Sequence, residues 1–357
     1  MKYIVLEKNY REIKDDYFKL TIDAYPYQTP EMLKISNYSL ITRLKTHSRI
    51  RFFVVYLGNE IIMIAPMKIH KECAKVLGTE EGYNMSDFAY STKDSDILKE
   101  AIYHLFVYLK NIVFKNKKMT IDWWYLYEDS LSWEAIEKLK DEGRIDFLCL
   151  WVTKNVQIPL ANSYDEYNKR LSKHARQNIR TAYNRANRDG YEISFHSYRM
   201  LDGGSVKKEA RKAFKSYTAL YIKRLKERYN RSGMRFFVKK TLMKYFGSGW
   251  KSASSSMSLL VDISINGEIA AYAKCYLDLA HRKITVPNLA IDIKWGFYSP
   301  GIILVNELVE YVIDMGGVDY LSMGRGEEPY KYEMGGEQYN TYNMGILLPD
   351  QERSDTA

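Results

Sequence analysis

The chain has 357 residues, of which 46% are hydrophobic and 27% charged, and this composition excludes disordered and fibrous classes. Its length exceeds what one hydrophobic core usually serves and favours two domains. The formal net charge of +9 favours anionic partners, among them phosphate-bearing molecules, nucleic acid and acidic lipid headgroups, without choosing among them.

Cysteine and histidine placement predicts neither disulfides nor a metal. Cys73, Cys149 and Cys275 are isolated and odd in number, which indicates a reducing, cytoplasmic setting. The six histidines lack the short spacing of a zinc site, so we expect no metal cofactor. The N-terminus lacks the apolar run of a signal peptide. The longest apolar stretch, Ala101–Phe114, is shorter than the ~20 residues of a spanning helix, so no transmembrane segment is expected.

In the first half of the chain the pattern predicts mixed α/β structure. Two apolar, β-branched runs, Arg49–Gly58 and Glu60–Ile69, meet at Gly58-Asn59 and predict a β-hairpin. A helix, a strand, a helix and a strand are predicted to follow: Asp96–Lys115, Met119–Tyr127, Leu131–Glu142 and Asp146–Thr153.

The second half opens with a predicted long helix. Ser163 and Glu166 have capping-box spacing, and Gly190 marks the end of the apolar stripe that follows. A second amphipathic helix is predicted over Val206–Arg228. Three strands, a helix and two strands then follow: Met257–Ile265, Glu268–Asp278, Lys283–Asp292, Ile302–Gly317, Val318–Met323 and Tyr339–Leu348.

The two halves resemble each other. The hairpin Arg49–Ile69 matches Met257–Asp278 in kind, since each is an apolar strand, a glycine turn and a strand that begins with Glu-Ile. We therefore interpret the chain as a duplicated fold, with domains at residues 1–154 and 155–357, the first of them degenerate.

One loop concentrates chemically active residues. MGRGEEPYKYEMGG, Met323–Gly336, contains four glycines, three glutamates, two tyrosines, an arginine and a lysine directly after a predicted strand. Glycines allow sharp turns and close approach to a ligand, and loops at strand ends often contain functional residues. This loop is the first candidate for a site.

Four stretches together resemble a known superfamily: KRLSKHARQNIRTAYNRANRDG, NGEIAAYAKCYLD, FYSPGIILVNELVEY and GRGEEPYKYEMGG. They are similar to the GNAT superfamily of N-acyltransferases, in its CelD-like branch, which is related to the FemAB-like transferases. The resemblance covers about residues 155–348, whereas the first half matches only through FFVVYLGNEIIMIAPMKI and KVLGTEEGYNMSDF. It implies two tandem GNAT-like domains, each a mixed sheet flanked by helices, with the acyl donor bound in the second.

The resemblance also implies a donor site. GNAT enzymes hold the pyrophosphate of coenzyme A at the start of the helix after the fourth strand, where free N–H groups and the helix dipole favour an anion. In this chain that position comprises Gly296, Ser299, Pro300, Gly301 and Ile302. Proline suits a first helical turn because it has no N–H to leave unsatisfied. The usual Q/R-x-x-G-x-G/A loop is replaced here by two glycines at a different spacing.

Transfer to an amine needs a base for the amine proton and an acid for the departing thiolate. Candidate bases are Glu327, Glu328 and Asp292, and Tyr330 is the candidate acid. Arg325 and Lys331 are candidates for binding a phosphate or a substrate carboxylate. The alternative is that Arg325 and the glutamates form a local ion-pair network.

The leading hypothesis is a cytoplasmic N-acyltransferase that moves an acetyl or similar group from acetyl-CoA to an amine, for instance on an amino sugar or a cell-envelope precursor. One alternative is FemAB-like transfer from aminoacyl-tRNA, in which the basic residues of Lys169–Arg188 bind the RNA rather than form a solvated face. Another is an accessory protein that has lost its donor site.

Overall fold

The computed structural model describes residues 2–22, 24–33, 50–78, 85–229, 250 and 253–349, with the side chains of the helix that ends at Tyr229 described as far as residue 224. Part of the stretch Lys75–Phe88 lies outside these residues. The chain divides into two compact units. Unit 1 comprises Met1–Lys154 and the chain from Tyr339 onward, and unit 2 comprises Asn155–Gln338.

Unit 1 is a mixed sheet with helices on both faces. Its elements before the unit boundary are β1 (Tyr3–Lys8), α1 (Tyr10–Leu20), β2 (Ile50–Leu57), β3 (Glu60–Ile69), β4 (Cys73–Val76), β5 (Ala89–Tyr90), α2 (Ser95–Tyr108), β6 (Thr120–Tyr127), α3 (Leu131–Asp141) and β7 (Asp146–Pro159), whose last five residues lie in unit 2. Strands β2, β3 and β4 are antiparallel, and β4 pairs with β6 in parallel. The predicted hairpin is present as β2 and β3.

The last strand of the chain, β13 (Glu337–Leu347), lies mainly in unit 1, although the sequence analysis assigned it to the second domain, residues 155–357. It pairs antiparallel with β6, with Thr341 opposite Tyr127. Tyr342 stacks on Trp133 of α3 at 3.7 Å, and Met344 and Ile346 are fully buried in the core of this unit. Apolar packing therefore fixes the strand here, and local pattern alone does not reveal such a distant partner.

Unit 2 also has both antiparallel and parallel strand pairs. Its remaining elements are α4 (Tyr164–Arg170), α5 (Lys173–Arg188), β8 (Ile193–Arg199), α6 (Gly204–Tyr229), β9 (Ser258–Ile265), β10 (Glu268–Asp278), β11 (Lys283–Ile291), α7 (Pro300–Met315), β12 (Tyr320–Arg325) and α8 (Pro329–Glu333). Strands β8, β9, β10 and β11 are antiparallel, β11 pairs with β12 in parallel, and β12 pairs with residues 155–159 of β7. The predicted mixed α/β fold is confirmed.

The helices cover both faces of the sheet in unit 2. On one face α5 and α7 pack against alternate residues of β9, such as Leu259 and Val261. On the other face α6 packs its buried residues, among them Tyr217, against Leu260 and Tyr272. This alternation is what the period of two residues in a strand dictates.

The prediction of one long helix from Ser163 to Gly190 is wrong in one respect. The segment forms two helices, α4 and α5, instead of one. Leu171 is extended, with φ −66° and ψ 148°, and Ser172 begins the next helix by accepting a hydrogen bond from the Ala175 amide. The Arg176 guanidinium donates to the Leu171 carbonyl at 3.0 Å and so closes the first helix. The apolar stripe continues across this break, which conceals it in the sequence.

Candidate active site

Two neighbouring strands separate at the centre of unit 2. Strand β11 pairs with β12 over three residues, Lys283–Thr285. Beyond Thr285 the register between β10 and β11 shifts, and Pro287, which has no N–H to give a ladder, lies at the shift. The backbone of β11 from Pro287 to Ile291 therefore has β10 on one side and a cavity on the other.

A helix begins beside this opening. Asp292 caps the short 3₁₀ helix Ile293–Tyr298, and Pro300 is the first residue of α7. Between them Ser299 is left-handed, with φ 52° and ψ 50°, and its side chain makes no capping hydrogen bond. The amides of Ile302 and Ile303 donate to the Ser299 carbonyl, and Pro300 has no N–H. Among the described residues, the Gly301 amide is therefore the N–H of this first turn that is left to bind a ligand.

A cavity of about 910 Å³ joins the strand opening, the helix start and the loop after β12. Its lining includes six of the predicted site residues: Gly296, Ser299, Gly301, Ile302, Glu328 and Tyr330. The structure therefore brings the predicted donor-binding turn and two of the predicted catalytic residues to one cavity. A β-carbon added at Gly301 would lie 3.1 Å from Ile291, so this position leaves little room for a side chain.

The loop after β12 is organised around a buried lysine. Lys331 is 3% exposed, and its ammonium donates to the carbonyls of Arg325 at 2.8 Å and Gly326 at 3.0 Å. The same ammonium lies 2.9 Å from the Glu328 carboxylate. Gly326 has φ +96°, and a β-carbon there would lie 2.6 Å from that carboxylate, so the turn requires glycine. Lys331 thus stabilises the loop, and the cavity lining does not include it.

Four other predicted site residues, Glu327, Arg325, Asp292 and Pro300, lie outside the cavity lining. Glu327 is exposed and accepts a long hydrogen bond from Tyr332 at 3.5 Å, and Arg325 is exposed at the end of β12. Burial would raise the pKa of Asp292, but hydrogen bonds from Lys223 and the Lys294 amide outweigh it and hold the pKa below its ordinary value. A carboxylate with a lowered pKa is a weaker general base.

The surroundings of Tyr330 favour the protonated form of its phenol. Burial, together with the nearby charge of Glu328, raises the pKa of its phenol to about 12. The hydroxyl therefore stays protonated at neutral pH and is able to donate a proton or a hydrogen bond into the cavity. A carboxylate and a neutral phenol at one cavity form an acid–base pair.

Sequence reasoning missed part of the lining. Tyr221 and Arg224 reach the cavity from α6, and Arg224 adds a positive charge to its wall. Nothing local marks them, because α6 and the helix start are far apart in sequence. The part that Pro287–Ile291 of β11 plays in the lining could have been predicted from the sequence. Pro287 lies within a predicted strand, and a proline there indicates that strand pairing is lost.

Within the described part of the chain, no group of three or more His, Cys, Asp or Glu side chains is arranged to hold a metal ion. None of the helices in those residues is both long enough and apolar enough to cross a membrane.

Comparison with known proteins agrees with this geometry. Residues 173–332 match the family model described as the acetyltransferase (GNAT) domain. That range contains α5, the separated strands β11 and β12, the start of α7 and the loop centred on Lys331. No curated protein matches the sequence.

Solved structures share the fold at low sequence identity. FemX has a TM-score of 0.58 and 12% identity, with 97% of this chain and 98% of that chain covered. A domain from Agrobacterium fabrum, provisionally named as the C-terminal domain of a lysylphosphatidylglycerol synthetase, has a TM-score of 0.56 and 7% identity, with coverages of 94% and 92%. A Bacteroides thetaiotaomicron protein of unknown function has a TM-score of 0.51 and 10% identity, with coverages of 96% and 100%. These similarities show the fold, and the GNAT family model matches 160 of the 357 residues.

Proposed function

We propose that the protein is an N-acyltransferase that moves an acetyl or similar group from coenzyme A to an amine in the cytoplasm. The observation that carries the proposal is the convergence of the Gly301 helix start, Glu328 and Tyr330 on one cavity. An anion-binding turn and an acid–base pair are the parts that transfer from a phosphate-bearing thioester requires.

The donor fits the walls of the cavity. The pyrophosphate would accept from the Gly301 amide at the positive end of α7, with Arg224 adding charge. The amide-containing arm of coenzyme A would lie along Pro287–Ile291, where no strand among the described residues pairs with this edge of β11. An extended chain gains backbone hydrogen bonds at such an edge.

The reaction uses the loop residues. The amine nitrogen attacks the thioester carbonyl carbon, a C–N bond forms and the C–S bond breaks. Glu328 takes the proton that the amine loses, and Tyr330 gives a proton to the departing thiolate. Lys331 holds the loop through the loop carbonyls, and its ammonium also pairs with Glu328, the proposed base.

The test is calorimetric titration with coenzyme A. Arg224→Ala should weaken binding about tenfold or more, because a charge-assisted contact contributes roughly 1.5–3 kcal/mol. Gly301→Val should weaken it further, because the added side chain obstructs the turn. Arg211→Ala is the matched control, since Arg211 lies on the exposed face of the same helix. Unchanged affinity in both cavity variants, with folding verified by circular dichroism, would move the donor elsewhere.

A second candidate is aminoacyl transfer from charged tRNA. The fold shared with FemX over nearly the whole of both chains favours it, together with the exposed cations of α5, such as Lys173, Arg180 and Arg188. Saturable coenzyme A binding with no tRNA binding supports the first candidate. Salt-sensitive tRNA binding without coenzyme A binding supports the second, and binding of neither supports an accessory role.

A further inference from the structure

The outward face of α6 is strongly basic. Five exposed cations lie on it: Lys207, Lys208, Arg211, Lys212 and Lys215. Residues four apart share one side of a helix, so these side chains form adjacent rows. Between residues 204 and 224 the one acid is Glu209, and none of the five cations forms an ion pair with a described residue.

The opposite face fixes the orientation of the helix. Ala210 and Tyr217 are fully buried against the sheet, and the Tyr217 hydroxyl donates to the buried carboxylate of Asp262 at 2.7 Å. The helix cannot rotate without breaking this contact, so its cations stay directed outward. From Lys207 to Lys223 the face extends about 24 Å at the rise of an α-helix.

Two exposed apolar side chains adjoin the C-terminal end of this face. Ile293 is 52% exposed and Phe297 is 56% exposed, both on the short 3₁₀ helix. Lys223 of α6 donates to Asp292 at 2.7 Å, which connects the helix to this segment. The Arg185 guanidinium lies 4.8 Å from the centre of the Phe297 ring, so a cation flanks the apolar pair.

We propose that this surface, α6 together with Ile293 and Phe297, docks on an anionic lipid bilayer. Cations attract acidic headgroups, and neighbouring apolar side chains enter the boundary between headgroups and acyl chains. The cavity adjoins the surface, because Ile293 and Arg224 belong to its lining. The inference rests on the proposed function and deepens it: the acyl acceptor is an amine carried by a molecule held at the membrane surface.

The chemistry of the surface favours lipid over nucleic acid. Single-stranded nucleic acid is held by aromatic rings on which bases stack, and no exposed aromatic side chain lies between residues 204 and 224. The Phe297 ring has Arg185 on one face and the edge-on ring of Tyr298 at 5.2 Å. Arg185 therefore already occupies one of the two faces of Phe297 on which a base could stack.

Co-sedimentation with vesicles tests the proposal. The protein should bind phosphatidylcholine vesicles that contain about 30% phosphatidylglycerol and should not bind phosphatidylcholine alone. High salt should release it, because exposed charges are screened. Reversal of three cations, Lys207→Glu, Arg211→Glu and Lys215→Glu together, should weaken binding about 100-fold or more. Phe297→Ser should weaken it several-fold at constant charge.

Matched controls lie in unit 1. Lys115, Lys117 and Lys118 are exposed, so their combined change to Glu alters the net charge equally, and Ile112→Ser removes a side chain that is 60% exposed. Both controls should bind vesicles as the parent does. The α6 triple variant should also bind coenzyme A normally, which separates docking from donor binding.

Three outcomes would overturn the proposal. The first is failure of the parent protein to bind the acidic vesicles. The second is an equal loss of binding in the control triple variant. The third is tRNA binding that the α6 changes abolish while vesicles are not bound, because the surface would then serve nucleic acid.

Discussion

The ammonium of Lys331 lies 2.9 Å from the carboxylate of Glu328, three residues earlier in the same loop, although the Lys331 side chain is 3% exposed and that of Glu328, at the cavity, is 46% exposed. The lysine also donates to the carbonyls of Arg325 and Gly326. A side chain that sequence alone suggests for ligand binding therefore fixes the backbone on which a candidate base is placed.

Replacing Lys331 with Met should destabilise the loop. The carbonyls of Arg325 and Gly326 and the carboxylate of Glu328 would lose the ammonium that donates to them, and methionine offers no replacement donor. The free energy of unfolding should fall by about 2–4 kcal/mol. Denaturant unfolding measures the loss. The control is Lys294→Met, because Lys294 pairs with Glu268 where both side chains are more than half exposed, and it should change stability by less than about 0.5 kcal/mol. Equal effects of the two changes would contradict the role of Lys331.

The two adjacent glutamates should differ in their contribution to turnover. Glu328 lines the cavity and Glu327 does not, so Glu328→Gln should lower kcat about 10²- to 10⁴-fold and Glu327→Gln should leave it within a few-fold. The measurement is release of free coenzyme A thiol with an amine acceptor. Because Glu328→Gln also removes the charge that pairs with Lys331, its thermal unfolding midpoint is compared with that of the parent to check that the loop is intact. If Glu327→Gln proved the more damaging change, the assignment of the base would be reversed.

The sequence predicted the parts of this site that depend on local geometry. Gly301 follows a proline that starts a helix, and Glu328 and Tyr330 follow a strand. Local signals for turns and helix starts therefore predict that the first lies at a helix start and the other two in a loop at a strand end. Arg224 and the placement of β13 depend on contacts between distant segments, which no local pattern encodes. The burial of Lys331 was also hidden, because a lysine between polar neighbours has the same local pattern whether it is exposed or enclosed by its own loop.

The two units share one order of strand pairing, which supports the proposed duplication. In unit 1 the antiparallel set β1, β2, β3 and β4 is followed by the parallel partner β6, and in unit 2 the set β8, β9, β10 and β11 is followed by the parallel partner β12. A helix precedes the parallel partner in each, α2 in one and α7 in the other. We propose that both units are GNAT-like, with the donor site in unit 2.

Tyr330→Phe should lower kcat without lowering the affinity for coenzyme A. The phenol has a pKa raised to about 12 by burial and the charge of Glu328, so it remains a proton donor throughout the pH range in which proteins are assayed. Removing the hydroxyl should cost about 10²-fold in kcat. A further check is the pH–rate profile of the parent, whose alkaline limb below about pH 10 should be unchanged in the variant. If that limb shifted, Tyr330 would titrate lower than its environment indicates.

Glu310→Gln should stabilise the protein at neutral pH. Burial, with the charges of Glu307, Asp314 and Asp165, raises the pKa of Glu310 on α7. The folded state therefore holds this proton more tightly than the unfolded state, so stability falls as pH rises from the unfolded pKa through the folded one. The variant should have the higher midpoint of thermal unfolding at pH 7, and the difference should shrink near pH 4. A constant difference at both pH values would exclude the carboxylate charge as its cause.

At position 299, glycine should give a more stable protein than alanine. Ser299 occupies the left-handed region at the start of α7, with φ 52° and ψ 50°. A β-carbon costs about 1–2 kcal/mol in that region, whereas glycine adopts it freely, so Ser299→Gly should be more stable than Ser299→Ala by about 1 kcal/mol. Ser216, exposed in the middle of α6, is the control, and there alanine should exceed glycine by about 1 kcal/mol because the backbone is helical. Chemical denaturation of the four variants tests the reversal of sign. If alanine gave the more stable protein at both positions, the helix start would not be strained.

The same two Ser299 variants also distinguish recognition by the backbone from recognition by the side chain. If amide groups bind the pyrophosphate, both variants should retain their affinity for coenzyme A. A loss of affinity in both variants would instead assign a ligand contact to the serine hydroxyl.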